Sequence, residues 1–360
     1  MGISLKDLNE RIRSRIPGAA GARPAVRGLP AATALEIDGL TLRIADASRS
    51  GTSSRVDQVR SCPLELPENA DRADASVLGS AIAKALAKAR IKPGPVVLGI
   101  GRSQVILRTV VVPDTGLTGT IAALVRFQVA RDLPFRLDEA IIDFQILRKL
   151  PARPALDGEA TQAPTTTATA TNESVDRVEA LVAITRQESL DFLRRVAEAA
   201  GVSLAAVGWL SQANATCLQL ASSGAGSPSA PRALVALKSE EVGIEILEGR
   251  SLLFSRGMPM PSSLDTEPET WIRAATIEVV RTLHAFGGSA GRTAPEAALI
   301  LGGTGREAAL STALETRLGF PVPQVTLARS PGLDSSEAAA VASGFTSIGL
   351  ALGATDPAGA

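Results

Sequence analysis

The sequence is poor in the residues that bind zinc, form disulfides or carry histidine-based catalysis. Its 360 residues include one histidine, His284, and two cysteines, Cys62 and Cys217. Two cysteines so far apart do not make a disulfide framework, and they suit a reducing compartment. Because one histidine leaves little room for a zinc site or a histidine-based catalytic pair, we expect His284 to be an ordinary helix residue and name no catalytic residue.

Net charge is also lacking. The chain has 37 Lys and Arg against 37 Asp and Glu, and its pI is about 6.7. Nucleic-acid binders usually carry a basic surplus, because contacts with phosphates dominate their affinity. We therefore expect no nucleic-acid partner.

Long apolar runs are scarce as well. Residues 338–355 carry no charge, but they are mostly Ala, Gly, Ser and Thr, so we predict a buried C-terminal helix rather than a membrane span. Residues 1–16 are charged throughout and lack the apolar segment of a secretory signal. Apolar residues recur at helical spacing within residues 3–16, which predicts an amphipathic helix. It would dock on the chain's own body, on a partner or on a membrane surface.

Three stretches of small, polar and proline-rich sequence, at residues 17–33, 151–174 and 221–232, have the composition of linkers. Between them, β-branched runs alternate with helical patterns, which favours a two-lobed α/β architecture. Thr185 and Glu188 have the spacing of a capping box, which predicts a helix that starts at Thr185. The domains expected are an N-terminal helix and linker (1–33), a first lobe (34–220) with a flexible loop (151–174), a linker (221–232), a second lobe (233–354) and a tail (355–360). An inserted subdomain within the first lobe (about 95–205) is implied by the family resemblance given next, and not by the linkers.

The order of these elements resembles the actin-like superfamily, with its ribonuclease H-like lobes, and within it the PilM family of pilus assembly proteins. The block AALVRFQVARDLPF followed by DEAIIDFQIL resembles the inserted subdomain of PilM and of its cell-division relative FtsA. GIEILEGRSLLFSRGMPM resembles the start of the second lobe, and LILGGTGREAALSTALETRLGFPV the adenosine-side loop and its helix. The resemblance covers about residues 34–352 and implies a two-lobed actin-like fold with an FtsA/PilM-type subdomain.

In that superfamily two hairpins hold the phosphates of Mg-ATP, and each usually has an Asp followed two residues later by a Gly. If Arg43 takes the usual basic position of the first hairpin, Glu36 takes the Asp position and Asp38 stands where Gly is expected. An extra carboxylate there repels a triphosphate, and its Cβ crowds the close approach.

The second hairpin, VALKSEE, has no Asp at the expected position, and Lys238 lies near the Gly position. The glycine-rich turn at residues 302–305 is intact and could cradle an adenine or a ribose. We therefore expect a weakened or lost site for ATP and Mg²⁺. The candidate cofactor residues are Glu36, Asp38, Thr41, Arg43, Lys238, Gly302, Gly303, Thr304 and Gly305.

The resemblance also implies a cytoplasmic scaffold beneath the inner membrane. It would bind the short cytoplasmic tail of a PilN-like single-span protein, together with other components of the pilus platform. The matching groove would lie at residues 96–112 and the helix around 126–135, with Arg126, Phe127 and Phe135 as candidate contacts. The plainer interpretation is that both phenylalanines pack in the core of the subdomain.

Three other functions fit the same fold less well. An active actin-like ATPase or kinase needs an Asp in each hairpin, which the second hairpin lacks. A GspL-like scaffold of type II secretion continues into a membrane span and a periplasmic domain, and this sequence ends at Ala360 with neither. An FtsA-like protein needs a C-terminal amphipathic anchor, and the ending ATDPAGA does not form one.

Overall fold

A computed structural model describes residues 28–51, 53–68, 70–151, 176–218, 230–249, 251–261, 267–289, 291–325 and 338–356. The predicted helix at residues 3–16 lies outside this part of the chain, as does nearly all of the predicted loop at 151–174 and of the linker at 221–232. The strands are β1 (Ala31–Asp38), β2 (Thr41–Ser50), β3 (Ser53–Pro63), β4 (Val96–Ile100), β5 (Ile106–Pro113), β6 (Ala140–Leu150), β7 (Arg177–Arg186), β8 (Leu204–Trp209), β9 (Arg232–Leu237), β10 (Glu241–Glu248), β11 (Ser251–Pro259) and β12 (Ala297–Gly302). The helices are α1 (Ala75–Lys88), α2 (Thr118–Val129), α3 (Gln187–Ala199), α4 (Leu210–Leu218), α5 (Pro268–Gly287), α6 (Glu307–Leu318), α7 (Ala338–Ser343) and α8 (Phe345–Thr355).

The first lobe is built on a five-stranded sheet with the order β3-β2-β1-β4-β8. β1 pairs antiparallel with β2 and parallel with β4, and β4 pairs parallel with β8. Gly39 makes the tight β1–β2 turn at a φ of +59°, a conformation that favours glycine. α1 and α3 bury their apolar sides against one face of the sheet, where Ile82 and Val196 meet Leu35.

The second lobe repeats this plan with the order β11-β10-β9-β12. β9 is antiparallel to β10 and parallel to β12, as β1 is to β2 and β4. α5 and α6 cover one face, where Trp271 and Leu310 pack on Ile244. The two lobes therefore have the same plan, and in each of them a turn joins the first two strands into a hairpin.

α4 and α8 lie between the two sheets and give the lobes a shared core. Phe345 and Ile348 of α8 belong to the same apolar cluster as Leu234 and Leu299 of the second lobe. α8 also packs on β1 and β2, so the last helix returns to the first lobe. The second lobe predicted at 233–354 includes this helix, which the structure places between the two sheets.

A smaller unit has its own three-stranded sheet, in the order β5-β7-β6. α2 covers one face through Ile121, Val125 and Val129. β4 pairs within the first lobe and α3 packs against α1, so this unit takes its strands from residues 106–186. It is shorter than the span of about 95–205 expected from sequence, and we refer to it below as the subdomain.

Three local differences have physical causes. β3 was not predicted, because its exposed edge position leaves only Val56, Val59 and Cys62 to mark a buried face. Thr185 does not cap α3, since β7 continues to Arg186 and the Thr185 hydroxyl donates instead to the Gln104 carbonyl at 2.8 Å. The predicted last helix is divided at Gly344 into α7 and α8.

None of the helices in the described residues is long and apolar enough to cross a membrane. No group of three or more His, Cys, Asp or Glu in the same residues could hold a metal ion. His284 is an exposed residue of α5, and Cys62 and Cys217 are buried free thiols.

Candidate functional site

The turns of the two equivalent hairpins meet where the lobes face each other. The β1–β2 turn contributes Asp38 and Gly39, and the β9–β10 turn contributes Lys238 and Ser239. A Cβ added to Gly39 would lie 2.4 Å from the Ser239 hydroxyl oxygen, so the turns are in direct contact. The fold thus brings together two segments about 200 residues apart in the sequence.

Asp38 is the centre of this contact and is only 6% exposed. One carboxylate oxygen accepts hydrogen bonds from Arg43 Nη2 at 2.8 Å and from Arg43 Nε at 3.2 Å. The other accepts from the Ser239 backbone N–H at 2.9 Å and from the Ser239 hydroxyl at 2.7 Å. Both oxygens are therefore satisfied, one within the first lobe and one by the second lobe.

Glu36 and Lys238 make an ion pair between the lobes. Lys238 Nζ donates to Glu36 Oε1 and, at 2.8 Å, to the hydroxyl of Thr346 at the start of α8. The Glu36 side chain is 1% exposed, and its Oε2 has no hydrogen-bond partner among the described residues. The pair therefore joins both hairpins and the last helix.

The charges of this contact balance. Two carboxylates, Glu36 and Asp38, face two cations, Arg43 and Lys238. Burial raises the pKa of Asp38, but Lys238, Arg43 and the Ser239 amide together hold it below its usual range. Asp38 therefore stays ionised and keeps its partners down to acidic pH.

The glycine-rich turn also lies beside this contact. A Cβ on Gly303 would lie 2.4 Å from the Ser343 Cβ and 3.6 Å from Arg43 Nη1. The Thr304 N–H and hydroxyl both donate, at 2.8 Å, to Glu307 Oε1 at the start of α6. The backbone donor and the hydroxyl of Thr304 are thus bonded to the chain's own carboxylate.

The structure brings most of the predicted cofactor residues together. Glu36 is paired with Lys238, Asp38 is paired with Arg43, and Gly303 adjoins Arg43. Thr41 stands opposite Asp38 in the hairpin register. Sequence reasoning missed Ser239, Thr346 and Glu307, because nothing in the local pattern shows which segment each one meets.

A further polar contact joins the lobes below the hairpins. Arg102, which follows β4, donates to Glu245 of β10 and to Ser211 of α4, and to the Arg256 carbonyl at 2.8 Å. Asn214 Nδ2 adds a bond to Glu245 Oε1 at 3.1 Å. Glu245 is fully buried, so this ion pair lies inside the junction of the lobes.

Glu241 lies four residues before Glu245 on β10, and its pKa reflects its burial. Burial raises the pKa of Glu241, with Glu245 adding to the shift and Arg102 opposing it. Arg102 and Lys238 both favour the ionised form of Glu241 and partly offset the effect of its burial. The sequence contains no motif that marks this group.

The three candidate partner residues do not share one surface. Arg126 Nη2 donates to the Leu137 carbonyl at 3.0 Å, and Phe135 packs in the subdomain core beneath the Arg186 guanidinium. Phe127 is 64% exposed, with Arg131 lying 5.5 Å from its ring centre. The plainer sequence interpretation therefore holds for Phe135, whereas Phe127 lies on the surface.

The predicted groove at residues 96–112 needs a correction. β4, its first part, is paired with β1 on one side and β8 on the other, so its backbone has no free edge. β5, its second part, pairs with β7, and no other described strand pairs with it. Of these two strands, β5 alone has a free edge among the described residues to which a peptide strand could add.

The subdomain is fastened to the second lobe by an ion-paired group on its sheet. Glu179 of β7 accepts from Arg148 Nε at 2.7 Å and from Arg292 Nη2 at 3.0 Å. Arg292 belongs to the connection between α5 and β12 and also lies over the ring of Phe286. Leu147 adds apolar contact with the core shared by the lobes and with the core of the second lobe.

Comparison with known proteins places this architecture. No protein-family model matches the chain, and no curated protein matches its sequence. Among solved structures, a chain of the PilM–PilN type IV pilus biogenesis complex aligns with 93% of this chain and 100% of its own length, with a TM-score of 0.67 and 23% identity. The chain has an actin-like fold. The strand order of both lobes and the inserted subdomain predicted from sequence agree with that conclusion.

Two other solved structures are more distant. One is a Bacteroides thetaiotaomicron protein with an actin-like ATPase fold and unknown function, which is 9% identical to this chain. The alignment covers 89% of this chain and 98% of that protein, with a TM-score of 0.43. The other is the cytoplasmic domain of EpsL from the type II secretion system of Vibrio cholerae, which is 10% identical to this chain. The alignment covers 75% of this chain and 82% of that domain, with a TM-score of 0.39.

Proposed function

We propose that this protein is a cytoplasmic scaffold of a type IV pilus inner-membrane platform, and that it binds the cytoplasmic tail of a PilN-like single-span protein. One observation carries the proposal: the fold follows a chain of the PilM–PilN complex over that chain's whole length. The PilM-like blocks of the sequence, which include the subdomain, support it independently.

The docking surface proposed is the free edge of β5 together with the exposed side of α2. Leu117, Leu124 and Phe127 recur at helical spacing, and Leu117 and Phe127 are exposed. An extended tail would pair its backbone with β5 and place apolar side chains against Phe127. This surface lies on the subdomain, away from the contact between the hairpins.

Nucleotide turnover has no part in this function. The second hairpin lacks the Mg²⁺-orienting carboxylate, and the carboxylates of the first are paired with Arg43 and Lys238. Residues 3–16 would add contact with the membrane surface or with other platform components, as their amphipathic pattern favours. Liposome flotation of the full chain and of a chain lacking residues 1–16 tests that part separately.

The tail proposal is tested by fluorescence anisotropy. A labelled peptide with the sequence of the cytoplasmic tail of the candidate single-span partner is titrated with the full chain. We expect saturable binding in the micromolar range and at least tenfold weaker binding to Phe127→Ala, because exposed aromatic anchors carry much of the energy at such surfaces. A peptide of scrambled sequence should not bind.

Ile277→Ala is the matched control. Ile277 is also a large exposed apolar residue, at 51%, but it lies on α5 of the second lobe. Its replacement should leave the affinity for the tail within twofold of wild type. Absence of tail binding at high micromolar concentration, or equal losses in the two variants, would contradict the proposed surface.

A further inference from the structure

The actin-like fold implies Mg-ATP between the two hairpins, and the residues present do not suit that cofactor. The hairpin turns already touch, with Gly39 against Ser239. Glu36 and Asp38 point negative charge into the contact, where phosphates would bring more. No described residue supplies a carboxylate on the β9–β10 side in the position expected for orienting Mg²⁺.

The donors that suit phosphate are present and already have partners. The Arg43 guanidinium, the Lys238 ammonium and the Ser239 backbone N–H are typical phosphate ligands. Each of them donates to Glu36 or Asp38 instead. A phosphate entering here would have to displace a buried carboxylate from its cations.

We infer that Glu36 and Asp38 take the place of phosphate oxygens and form a latch that holds the two lobes together without a nucleotide. The latch consists of Glu36, Asp38 and Arg43 from the first lobe and of Lys238 and Ser239 from the second. It deepens the proposed function, since it would give a scaffold a fixed shape that does not depend on ATP. Both ion pairs of the latch form between residues of this chain and involve no partner protein.

The adjoining parts of the cleft agree with this inference. Lys238 also holds Thr346, which ties α8 to the latch. The glycine-rich turn lies against Ser343 and Arg43, and Glu307 takes the Thr304 N–H. All three elements that would contact a nucleotide are therefore bonded or packed against the chain's own residues.

The first test is calorimetric titration of the full wild-type chain with Mg-ATP and, separately, with magnesium pyrophosphate. We expect no saturable binding of either ligand up to about 1 mM. Saturable binding of Mg-ATP or of magnesium pyrophosphate, whether with a Kd below about 100 µM or weaker, would overturn the inference. Either ligand would need the donors that the latch already uses.

The second test compares hydrogen–deuterium exchange of the hairpin peptides, residues 31–50 and 232–248, in latch variants. Asp38→Gly removes the carboxylate and restores the residue expected from the resemblance. We expect at least tenfold faster exchange in both peptides, and at least tenfold tighter pyrophosphate binding than in wild type. Unchanged exchange, or unchanged pyrophosphate binding, would overturn the inference.

Glu240→Gln is the matched control, because Glu240 also reaches the first lobe, through Arg72, but both side chains are about half exposed. Its exchange should stay within twofold of wild type. If Asp38→Gly does not fold, Asp38→Asn, which keeps the shape and loses the charge, carries the test. Its exchange must exceed that of the control at least threefold, and equal rates would overturn the latch. Neither measurement uses the tail peptide, so the latch can fail while tail binding succeeds, and the reverse.

Discussion

Replacement of Glu245 by leucine removes the carboxylate that neutralises Arg102 inside the junction of the lobes. The Arg102 side chain is 9% exposed and the Glu245 side chain 0%, so water cannot take over the role of the carboxylate. The variant also leaves Asn214 without the acceptor that lies 3.1 Å from its Nδ2. The result is a buried guanidinium that has lost its hydrogen-bonded counter-charge and keeps only a weaker electrostatic attraction to Glu241.

The magnitude follows from this burial. Removal of one partner from a buried ion pair typically costs about 3–5 kcal/mol, because an uncompensated charge remains. With an unfolding entropy of roughly 2 cal/mol/K per residue, a chain of 360 residues loses about 4–7 °C in Tm for that change. Arg102→Met/Glu245→Leu should recover at least half of the loss, because both charges are then absent.

Differential scanning calorimetry of the single and double variants measures the effect. Arg72→Gln is the control, because it breaks the exposed Arg72–Glu240 pair between the same lobes and should move Tm by less than about 1 °C. A Glu245→Leu Tm within 1 °C of wild type would refute the reasoning. So would a double variant that loses as much as the two single variants together.

Three further outcomes are expected. Burial raises the pKa of Asp38, but its cationic neighbours hold that pKa below the usual range. The ionised Asp38 therefore stabilises the fold above about pH 4, and this stabilisation is lost as the pH falls further. Tm should accordingly fall more steeply below pH 4 in wild type than in Asp38→Asn. Glu179→Gln weakens the contact with Arg292, so hydrogen exchange in β6 and β7 should accelerate while exchange in β1 does not change. Burial raises the pKa of the Cys217 thiol well above its usual range, so in a Cys62→Ala chain a thiol reagent should label Cys217 only after urea unfolding.

Much of the fold could be predicted because its signals are local. The β-branched runs at β4 and β5 and the helical periodicity of α2 appear within short windows of sequence. β3 escaped prediction because it is an edge strand with few buried residues. The return of α8 to the first lobe could not be predicted either, since a helix without a charged side does not indicate which sheet will cover it.

The candidate site, like the fold, has features that could be predicted from the sequence and contacts that could not. The expected departure of the hairpins from the pattern of the resemblance, with Asp38 and Lys238 at or near the two expected glycine positions, rests on the sequence alone. That Asp38 meets Ser239, and Glu36 meets Lys238, depends on two turns about 200 residues apart being brought together. Phe127 and Phe135 were equivalent in sequence, and only packing makes one of them exposed and the other part of a core.

The sequence by itself determined the lobed α/β architecture, the resemblance to actin-like pilus proteins and the altered chemistry of each hairpin, because periodicity and residue type act over short distances. Tertiary structure alone decided which charges pair across the lobes and where the last helix packs. It also decided that β5, rather than β4, keeps a free edge. Those features depend on contacts between distant segments, whose partners no local pattern specifies.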